Sequence, residues 1–183
     1  LAGLWATAFW APELARDILK SEGVTDKDVL TRLGSQAMLI MNVGNTTGLL
    51  CFAPLTARIG RRGAFLLYHL LTIVMVPVAF LLPQTYPQAV CALVALGFGA
   101  VGMHAGYAIY FPELFPTRLR STGAGFCFNV GRVVAAVGPA TMAWLLGAVG
   151  SFRMAATLAG GVYLLGLVCL FFMPETHGKP LPD

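Results

Sequence analysis

A single arginine stands in the middle of a long apolar segment, where a charged side chain needs a partner. Arg132 lies about eleven residues into segment 122–146, or roughly 16 Å along a helix that rises about 1.5 Å per residue. A charge near the centre of a bilayer costs about 2.5 to 3.5 kcal/mol on insertion scales, so Arg132 is expected to face a cavity or a partner instead of lipid. Asn129 lies one turn earlier on the same face. Two interpretations are open: Arg132 pairs with a carboxylate, on a solute or elsewhere in the protein, or it bonds backbone carbonyls at a helix interface.

Segment 88–110 carries a histidine on the face opposite its glycines. Gly102 and Gly106 follow helical spacing and allow close contact with another helix. His104 lies about 160° away from them around the helix axis and shares its face with Tyr107. A helix that packs through its glycines leaves the opposite face for a cavity. His104 is therefore a candidate proton relay near neutral pH, or a histidine that bonds a neighbouring hydroxyl or carbonyl group.

Two amides form a polar stripe in segment 34–57. Asn42 and Asn45 are three residues apart and share one helical face. Amide side chains in membrane helices either bond a neighbouring helix or contact a transported solute. The predicted solute or proton pathway consists of these side chains: Arg132, Asn129, His104, Tyr107, Asn42 and Asn45.

A second group of charges lies at the ends of the apolar segments. Because the connections are short, neighbouring helices should run antiparallel, and the ends that follow 34–57, 88–110 and 152–173 should meet on one side. An arginine and a carboxylate joined by two parallel hydrogen bonds would tie such helix ends together. We therefore predict a gate network on this side, made of Arg58, Arg61, Arg62, Glu113, Arg118 and Glu175.

The composition places these residues in a membrane. Of 183 residues, 57% are hydrophobic and 11% are charged, with a mean hydropathy of +0.76, whereas soluble domains carry about 25% charged residues. The lipid bilayer is thus a predicted partner. Nucleic acid is excluded as a partner, because the longest basic run is Arg61-Arg62. The sequence has no nucleophile elbow, phosphate loop or zinc-protease helix, so we predict no enzyme, no cofactor and no bound metal.

Segment lengths predict an all-α fold, namely a polytopic membrane helix bundle. A helix needs about 20 residues to cross a bilayer. In chain order we predict a truncated span at 1–11, an extracytoplasmic loop at 12–33, spans at 34–57, 64–82, 88–110, 122–146 and 152–173, and a cytoplasmic tail at 174–183. Three arginines lie within residues 58–62, which favours the cytoplasm for that side and for the C-terminus. We expect an integral protein of the plasma (inner) membrane.

Three strings on that side resemble the C-terminal half of major facilitator superfamily transporters. They are the Gly60-Arg61-Arg62 turn, the stretch from Glu113 through Pro116 to Arg120, and the tail Pro174-Glu175-Thr176-His177-Gly178-Lys179. Their order, spacing and common side are similar to the cytoplasmic signatures of sugar porters and of organic-ion and aromatic-acid porters. The resemblance implies a fragment with the end of helix 7 plus helices 8 to 12. It also implies a missing N-terminal half of the same chain as a partner.

The sequence departs from the family's pattern at two places. Ala57 stands where the turn usually has an aspartate, so the ion-pair network should be weaker or wired differently, and segment 88–110 lacks the Pro-x-x-Trp element of sugar porters. Tyr110-Phe111-Pro112-Glu113 and Asn129-Val130-Gly131-Arg132 look more like the organic-ion and aromatic-acid branch. The resemblance implies secondary active transport of a small organic solute, such as an organic or aromatic acid, by alternating access, with proton symport as one form of coupling. A sugar transporter and a non-transporting receptor or structural homologue are the alternatives.

Overall fold

The protein is described by a computed structural model at residues 3, 5 and 7–182. Helices account for most of these residues, among which there is no strand. Short 3₁₀ turns lie at Ala8–Trp10 and Thr117–Leu119. The α-helices are α1 (Ala11–Ser21), α2 (Lys27–Leu81), α3 (Tyr86–Glu113), α4 (Arg120–Ala135), α5 (Gly138–Val149), α6 (Phe152–Ala159) and α7 (Val162–Phe172). The predicted all-α fold is confirmed.

Helix α2 reverses its direction at Gly60. This residue has φ 79° and ψ 172°, outside the helical region and in a conformation that glycine adopts more readily than other residues. The Tyr68 hydroxyl donates to the Gly48 carbonyl at 2.8 Å, although a straight helix would separate these residues by about 30 Å. The chain therefore forms two antiparallel arms, α2a (residues 27–59) and α2b (residues 61–81). The glycine turn expected from the sequence lies between them.

The core of the bundle lies between α2 and α3, where glycines bring helix backbones together. A Cβ atom on Gly102 would lie 2.8 Å from the carbonyl carbon of Gly48. The rings of Phe52 and Phe65 close over Gly106, with their centroids 5.2 Å apart. The glycine ridge of α3 thus packs against α2, as the sequence predicts, and it leaves no room for side chains at these positions.

The C-terminal helices are interrupted near their middle. Two residues separate α4 from α5 just ahead of Pro139, which has no N–H to donate to a helix. A similar break separates α6 from α7. These two helices run antiparallel to α2b, since Gly160 packs against Val76 and Gly166 packs against His69.

The segment predicted as an extracytoplasmic loop, 12–33, is mostly helical, and its location outside the membrane stays a prediction. It contains most of α1 and the first turns of α2. Leu14 and Ile18 of α1 are fully buried, while charged side chains occupy other positions of the same helix. A hydropathy window averages over both faces of such an amphipathic helix and therefore misses it. Asp26 caps α2 by accepting from the backbone N–H of Asp28 at 2.8 Å.

The segments predicted as spans are helical, with shifted bounds, and their crossing of the membrane stays a prediction. Spans 34–57 and 64–82 correspond to α2a and α2b, and 88–110 lies inside α3. Spans 122–146 and 152–173 are each built from two shorter helices. Of the truncated span predicted at 1–11, residues 1, 2, 4 and 6 lie outside the described residues.

The lengths and composition of these helices suit a membrane. In the described part of the chain, four helical stretches are long and apolar enough to cross one, namely Lys27–Leu81, Tyr86–Glu113, Thr117–Val149 and Phe152–Phe172. The reversal at Gly60 allows the first of them to cross twice. The predicted membrane helix bundle is confirmed.

Candidate functional site

Polar side chains from the ends of α2a, α2b and α3 and from the segment after α7 form a compact group, in which Arg61 Nη1 also donates to the Thr56 hydroxyl at 3.3 Å. We call it the helix-end cluster: Thr56, Arg61, Glu113, Glu175 and Thr176. Arg61 donates two hydrogen bonds to Glu113, from Nε to Oε2 at 3.1 Å and from Nη2 to Oε1 at 2.7 Å. The Thr176 hydroxyl donates to Glu113 Oε2 at 2.6 Å. The side chains of Arg61 and Glu113 are each only 17% exposed, so salt screens this pair less than a surface pair. The cluster joins the end of α2a, the start of α2b, the end of α3 and the segment after α7.

Glu175 caps the start of α2b. Its carboxylate accepts from the backbone N–H of Arg61 at 2.9 Å and from that of Arg62 at 3.0 Å. These N–H groups have no partner within the helix, because the chain turns at Gly60 immediately before them. The helix dipole also favours a carboxylate at this position. The sequence predicts an arginine side chain as the partner of Glu175, whereas its partner in the structure is the helix backbone.

The same backbone groups keep Glu175 in its charged form. Partial burial raises the pKa of Glu175, but the backbone N–H groups of His177, Arg61, Arg62 and Thr176 lower it by more. The resulting pKa is below the ordinary value of a glutamate. Because the folded-state pKa is lowered, the stabilisation by this carboxylate is complete above the unfolded-state pKa and is lost as the pH falls through the folded-state pKa.

Replacing Gly60 with alanine should destabilise the turn. The new residue would keep φ 79° and would place its Cβ atom 2.7 Å from Glu175 Oε2. A side chain in this positive-φ, extended-ψ region costs about 1 to 3 kcal/mol, so we expect a lower midpoint of thermal unfolding in detergent. Gly63→Ala is the matched control, since its Cβ would meet only the Ile59 side chain, at 3.3 Å. Equal midpoints for the two variants would show that the turn tolerates a side chain.

The structure brings together part of the predicted gate network. Three of the six predicted residues belong to the helix-end cluster, and Arg62 joins it through its backbone N–H. The side chains of Arg58 and Arg118 are exposed and form no ion pair within the described part of the chain. Thr56 and Thr176 are additional members. Thr176 follows Glu175 directly in the tail string, and this adjacency is the sequence signal that could have found it.

A second ion pair ties the opposite end of the bundle. Arg153 Nε lies 2.9 Å from Asp17 Oδ2, and Arg153 Nη1 donates to the carbonyl of Pro83 at 2.9 Å. This arginine therefore links α1, the connection between α2 and α3, and the start of α6. The predicted order of spans and connections puts Arg153 and Asp17 on one side of the membrane, but their pairing depends on α1 being helical, which hydropathy does not indicate.

A cavity of about 470 Å³ lies between α3 and α4, and we call it the Arg132 cavity. His104 reaches it from α3 and Arg132 from α4. Both ring nitrogens of His104 are buried and have no hydrogen-bond partner among the described residues. Arg132 is exposed and forms no ion pair with them. The full lining is Trp5, His104, Phe128, Arg132, Ala135, Ala136 and Pro139.

Two further pathway candidates make local contacts. Tyr107 lies against His104, with ring centroids 5.5 Å apart, and its hydroxyl donates to Met103 Sδ at 3.5 Å. Asn129 donates to the Gly125 carbonyl of its own helix at 2.9 Å. Neither side chain lines the Arg132 cavity.

The two amides of α2a bond one another. Asn45 donates to Asn42 Oδ1 at 2.8 Å, and Asn42 donates to the Met38 carbonyl at 3.0 Å. Asn45 lines a smaller cavity of about 220 Å³, whereas Asn42 does not. Trp5 contributes to the walls of both cavities, so the amides lie next to the Arg132 cavity but outside it.

The Arg132 cavity has the chemistry of a binding site for an anion. A guanidinium presents paired donors that match a carboxylate, and Trp5 and Phe128 add flat apolar surface. No group of three or more His, Cys, Asp or Glu side chains that could hold a metal ion occurs among the described residues.

Comparison with known proteins assigns the chain to a family. The sequence pattern of the family described as "Sugar (and other) transporter" matches residues 13–183. A probable 4-methylmuconolactone transporter of Cupriavidus pinatubonensis is 29% identical over 183 residues, which cover 97% of this chain and 39% of that protein. The inner membrane metabolite transport protein YhjE of Escherichia coli is 37% identical over 131 residues, 67% of this chain and 28% of that protein.

A mammalian protein is also similar to this chain. Solute carrier family 22 member 12 of Mus musculus is 34% identical over 130 residues, 70% of this chain and 23% of that protein. The chain thus spans about two fifths or less of the length of these relatives. Because the family pattern covers nearly all of its residues, and because it folds as a membrane helix bundle, the chain belongs to the sugar (and other) transporter family of the major facilitator superfamily.

Proposed function

We propose that this chain forms one helix bundle of a secondary transporter for small organic acids, in which Arg132 binds the carboxylate of the solute. One observation carries the proposal: Arg132 lies in a membrane-crossing helix and lines a cavity of about 470 Å³. A charge at such a position is costly without a partner. Since Arg132 has no ion-pair partner among the described residues, a solute carboxylate is the partner we assign.

The walls of the Arg132 cavity favour a solute with an apolar ring. Trp5 and Phe128 line it together with small apolar residues, and its volume falls within the range of about 300 to 1,000 Å³ that is common for ligand sites. A relative that is named for 4-methylmuconolactone transport supports a small organic solute. An aromatic carboxylate would place its charge on Arg132 and its ring on the aromatic walls.

Secondary transport also needs a group that couples solute movement to an ion, and a gate that closes one side of the pathway. We propose His104 as the group that exchanges a proton with the solute pathway, because both its nitrogens lack a partner in the described residues. The helix-end cluster would close the cytoplasmic side during alternating access. In this proposal the protein lies in the plasma (inner) membrane with the C-terminus in the cytoplasm, and an N-terminal helix bundle completes the solute pathway.

Uptake by the full-length protein in proteoliposomes tests the proposed solute class. We expect saturable uptake of radiolabelled 4-hydroxybenzoate above the background of protein-free liposomes. Its neutral analogue 4-hydroxybenzyl alcohol should not be taken up and should not compete. The 183-residue chain alone should bring about no saturable uptake, since the pathway requires both bundles.

A neutral sugar is the second candidate solute, and one observation favours it. Asn45 lines the neighbouring cavity with its Oδ1 unpartnered among the described residues, and amides suit hydroxyl-rich ligands. Saturable glucose uptake without uptake of the acid would select this function. If the folded protein transports neither solute and no other acid of a broad panel, a non-transporting homologue is the better description.

A further inference from the structure

A third cavity lies on the surface of the bundle between α2b and α7, away from the Arg132 cavity. It measures about 270 Å³ and is lined by Arg62, Gly63, Leu66, Leu167, Leu170 and Phe171. We call it the Arg62 groove. Its walls are apolar except for Arg62. Leu66 is 46% exposed and Phe171 is 82% exposed, so the groove faces the surroundings of the bundle.

Arg62 places an available positive charge at one end of this groove. Its backbone N–H is bound by Glu175, which fixes the start of α2b. Its side chain is exposed and forms no hydrogen bond or ion pair within the described part of the chain. The neighbouring Arg61 differs, because Glu113 occupies its guanidinium.

Along the axis of α2b, the polar end of the groove at Arg62 is followed by its apolar part. Leu66 lies one turn beyond Arg62, or about 6 Å farther into the bundle. Leu167 and Leu170 face it from α7. Arg62 lies next to the turn at Gly60, at the end of the two apolar arms of α2. If these arms cross the membrane, we expect Arg62 at the level at which lipid headgroups meet acyl chains. A phospholipid presents the complementary order of groups, with a phosphate above an apolar chain.

The charges around the groove favour an anionic lipid. Arg58, Arg62 and Lys179 are all exposed at this end of the bundle. The glutamates of the same end, Glu113 and Glu175, are already bound within the helix-end cluster. The surface that meets the leaflet is therefore positive, and basic pockets between membrane helices bind anionic headgroups.

We propose that the Arg62 groove binds an anionic phospholipid, with its phosphate on Arg62 and one acyl chain along Leu66 and Leu167. The bound lipid would fill the space between α2b and α7 on the membrane side. This site shares no residue with the Arg132 cavity. Lipid binding at this groove can therefore be tested whether or not the proposed solute is correct.

Photo-crosslinking of the purified full-length protein tests the site. The probe is phosphatidylglycerol with a diazirine on one acyl chain, in vesicles of phosphatidylcholine, and labelled peptides are identified by mass spectrometry. We expect labels within residues 63–66 and 167–171. Arg62→Gln should reduce this labelling about fivefold, because one basic residue near an anionic surface contributes about 1 kcal/mol. Arg62→Lys should keep most of it.

Two further variants distinguish the effect of the Arg62 charge from the effect of the space inside the groove. Arg58→Gln is the matched control, because Arg58 is exposed near the end of α2a, on the other side of the Gly60 turn, and does not line the groove. It should reduce labelling much less than Arg62→Gln does, because it removes a surface charge but no side chain that lines the groove. Leu66→Trp keeps Arg62 but fills the groove, and it should reduce labelling. It also decides the question if Arg62→Gln does not fold.

Three results would overturn the proposal. The first is equal labelling of the groove by the corresponding phosphatidylcholine probe. The second is parental labelling in Arg62→Gln, or in Leu66→Trp if the first variant is unfolded. The third is full competition by water-soluble glycerol phosphate, which would make the site a free-phosphate site and not a lipid site.

Discussion

In the full-length protein, Arg132→Gln is expected to lower kcat/KM for an aromatic carboxylate about ten- to hundredfold, while the yield of folded protein stays near the parental value. Arg132 lines the cavity and forms no ion pair within the described residues, so glutamine removes no described ionic contact of the fold. A hydrogen bond to a charged group contributes about 1.5 to 3 kcal/mol, which corresponds to this loss. Initial rates of uptake in proteoliposomes, normalised to folded protein, measure it.

Arg132→Lys distinguishes a fitted guanidinium from a mere positive charge. Lysine keeps the charge but cannot form two parallel hydrogen bonds in one plane with a carboxylate. We expect a raised KM for the acid and a loss of kcat/KM smaller than that of Arg132→Gln. If Arg132 serves only to bond carbonyls at a helix interface, glutamine should preserve more activity than lysine, since an amide can keep some of those bonds.

The control for both variants is Arg118→Gln, which removes an exposed arginine outside the cavity. It should transport at the parental rate. Parental kcat/KM in both Arg132 variants, or losses that only follow the amount of folded protein, would show that Arg132 does not bind the solute. Equal loss of transport for a neutral solute would assign Arg132 to structure or to proton coupling.

Much of the fold can be predicted from the sequence, because membrane helices leave strong local signals. The Gly60 turn follows from a glycine between two apolar segments, and the packing of Gly102 against α2 follows from helical spacing. Helix α1 cannot be found in this way, because its buried face, with Leu14 and Ile18, alternates with charged residues. Hydropathy reports the average of a segment and not the face that it buries.

The candidate site is predictable to a smaller extent, because side-chain partners depend on long-range packing. Residue types indicate that Glu175 should meet arginines, and it does meet Arg61 and Arg62. It binds their backbone N–H groups, however, because the turn at Gly60 leaves those donors free. Likewise, helical spacing places Asn129 on the face of Arg132, but its amide bonds the Gly125 carbonyl instead of the cavity. Such local bonds compete with ligand contacts, and spacing alone does not decide between them.

The side chains of two neighbouring arginines have different surroundings at the helix-end cluster. Arg61 is held by Glu113 inside the cluster, whereas the Arg62 side chain lines the surface groove. Both backbone N–H groups are fixed by Glu175. A change at Glu113 should therefore affect the internal network and leave the Arg62 groove in place, so that the proposed gating and the proposed lipid binding can be tested separately.

Glu113→Gln should slow turnover of the full-length protein at least about fivefold at saturating substrate, which corresponds to about 1 kcal/mol. The substitution leaves the guanidinium of Arg61, 17% exposed, without its carboxylate. Glu175 still caps α2b in this variant, so we expect most of the protein to fold.

Arg61→Gln should give a similar loss of turnover. The double variant Arg61→Gln/Glu113→Gln should be no worse than either single variant, because the two residues act as one pair.

To test the pair, the double variant is a better choice than a variant that exchanges the charges of Arg61 and Glu113. A glutamate at position 61 would lie beside the carboxylate of Glu175, which binds the backbone N–H of that residue, and like charges would repel there. Arg118→Gln again serves as the control. Additive losses in the double variant would show that Arg61 and Glu113 act separately. If Glu113→Gln instead transports at the parental rate with saturating and with limiting substrate, the cluster stabilises the fold but does not act as a gate.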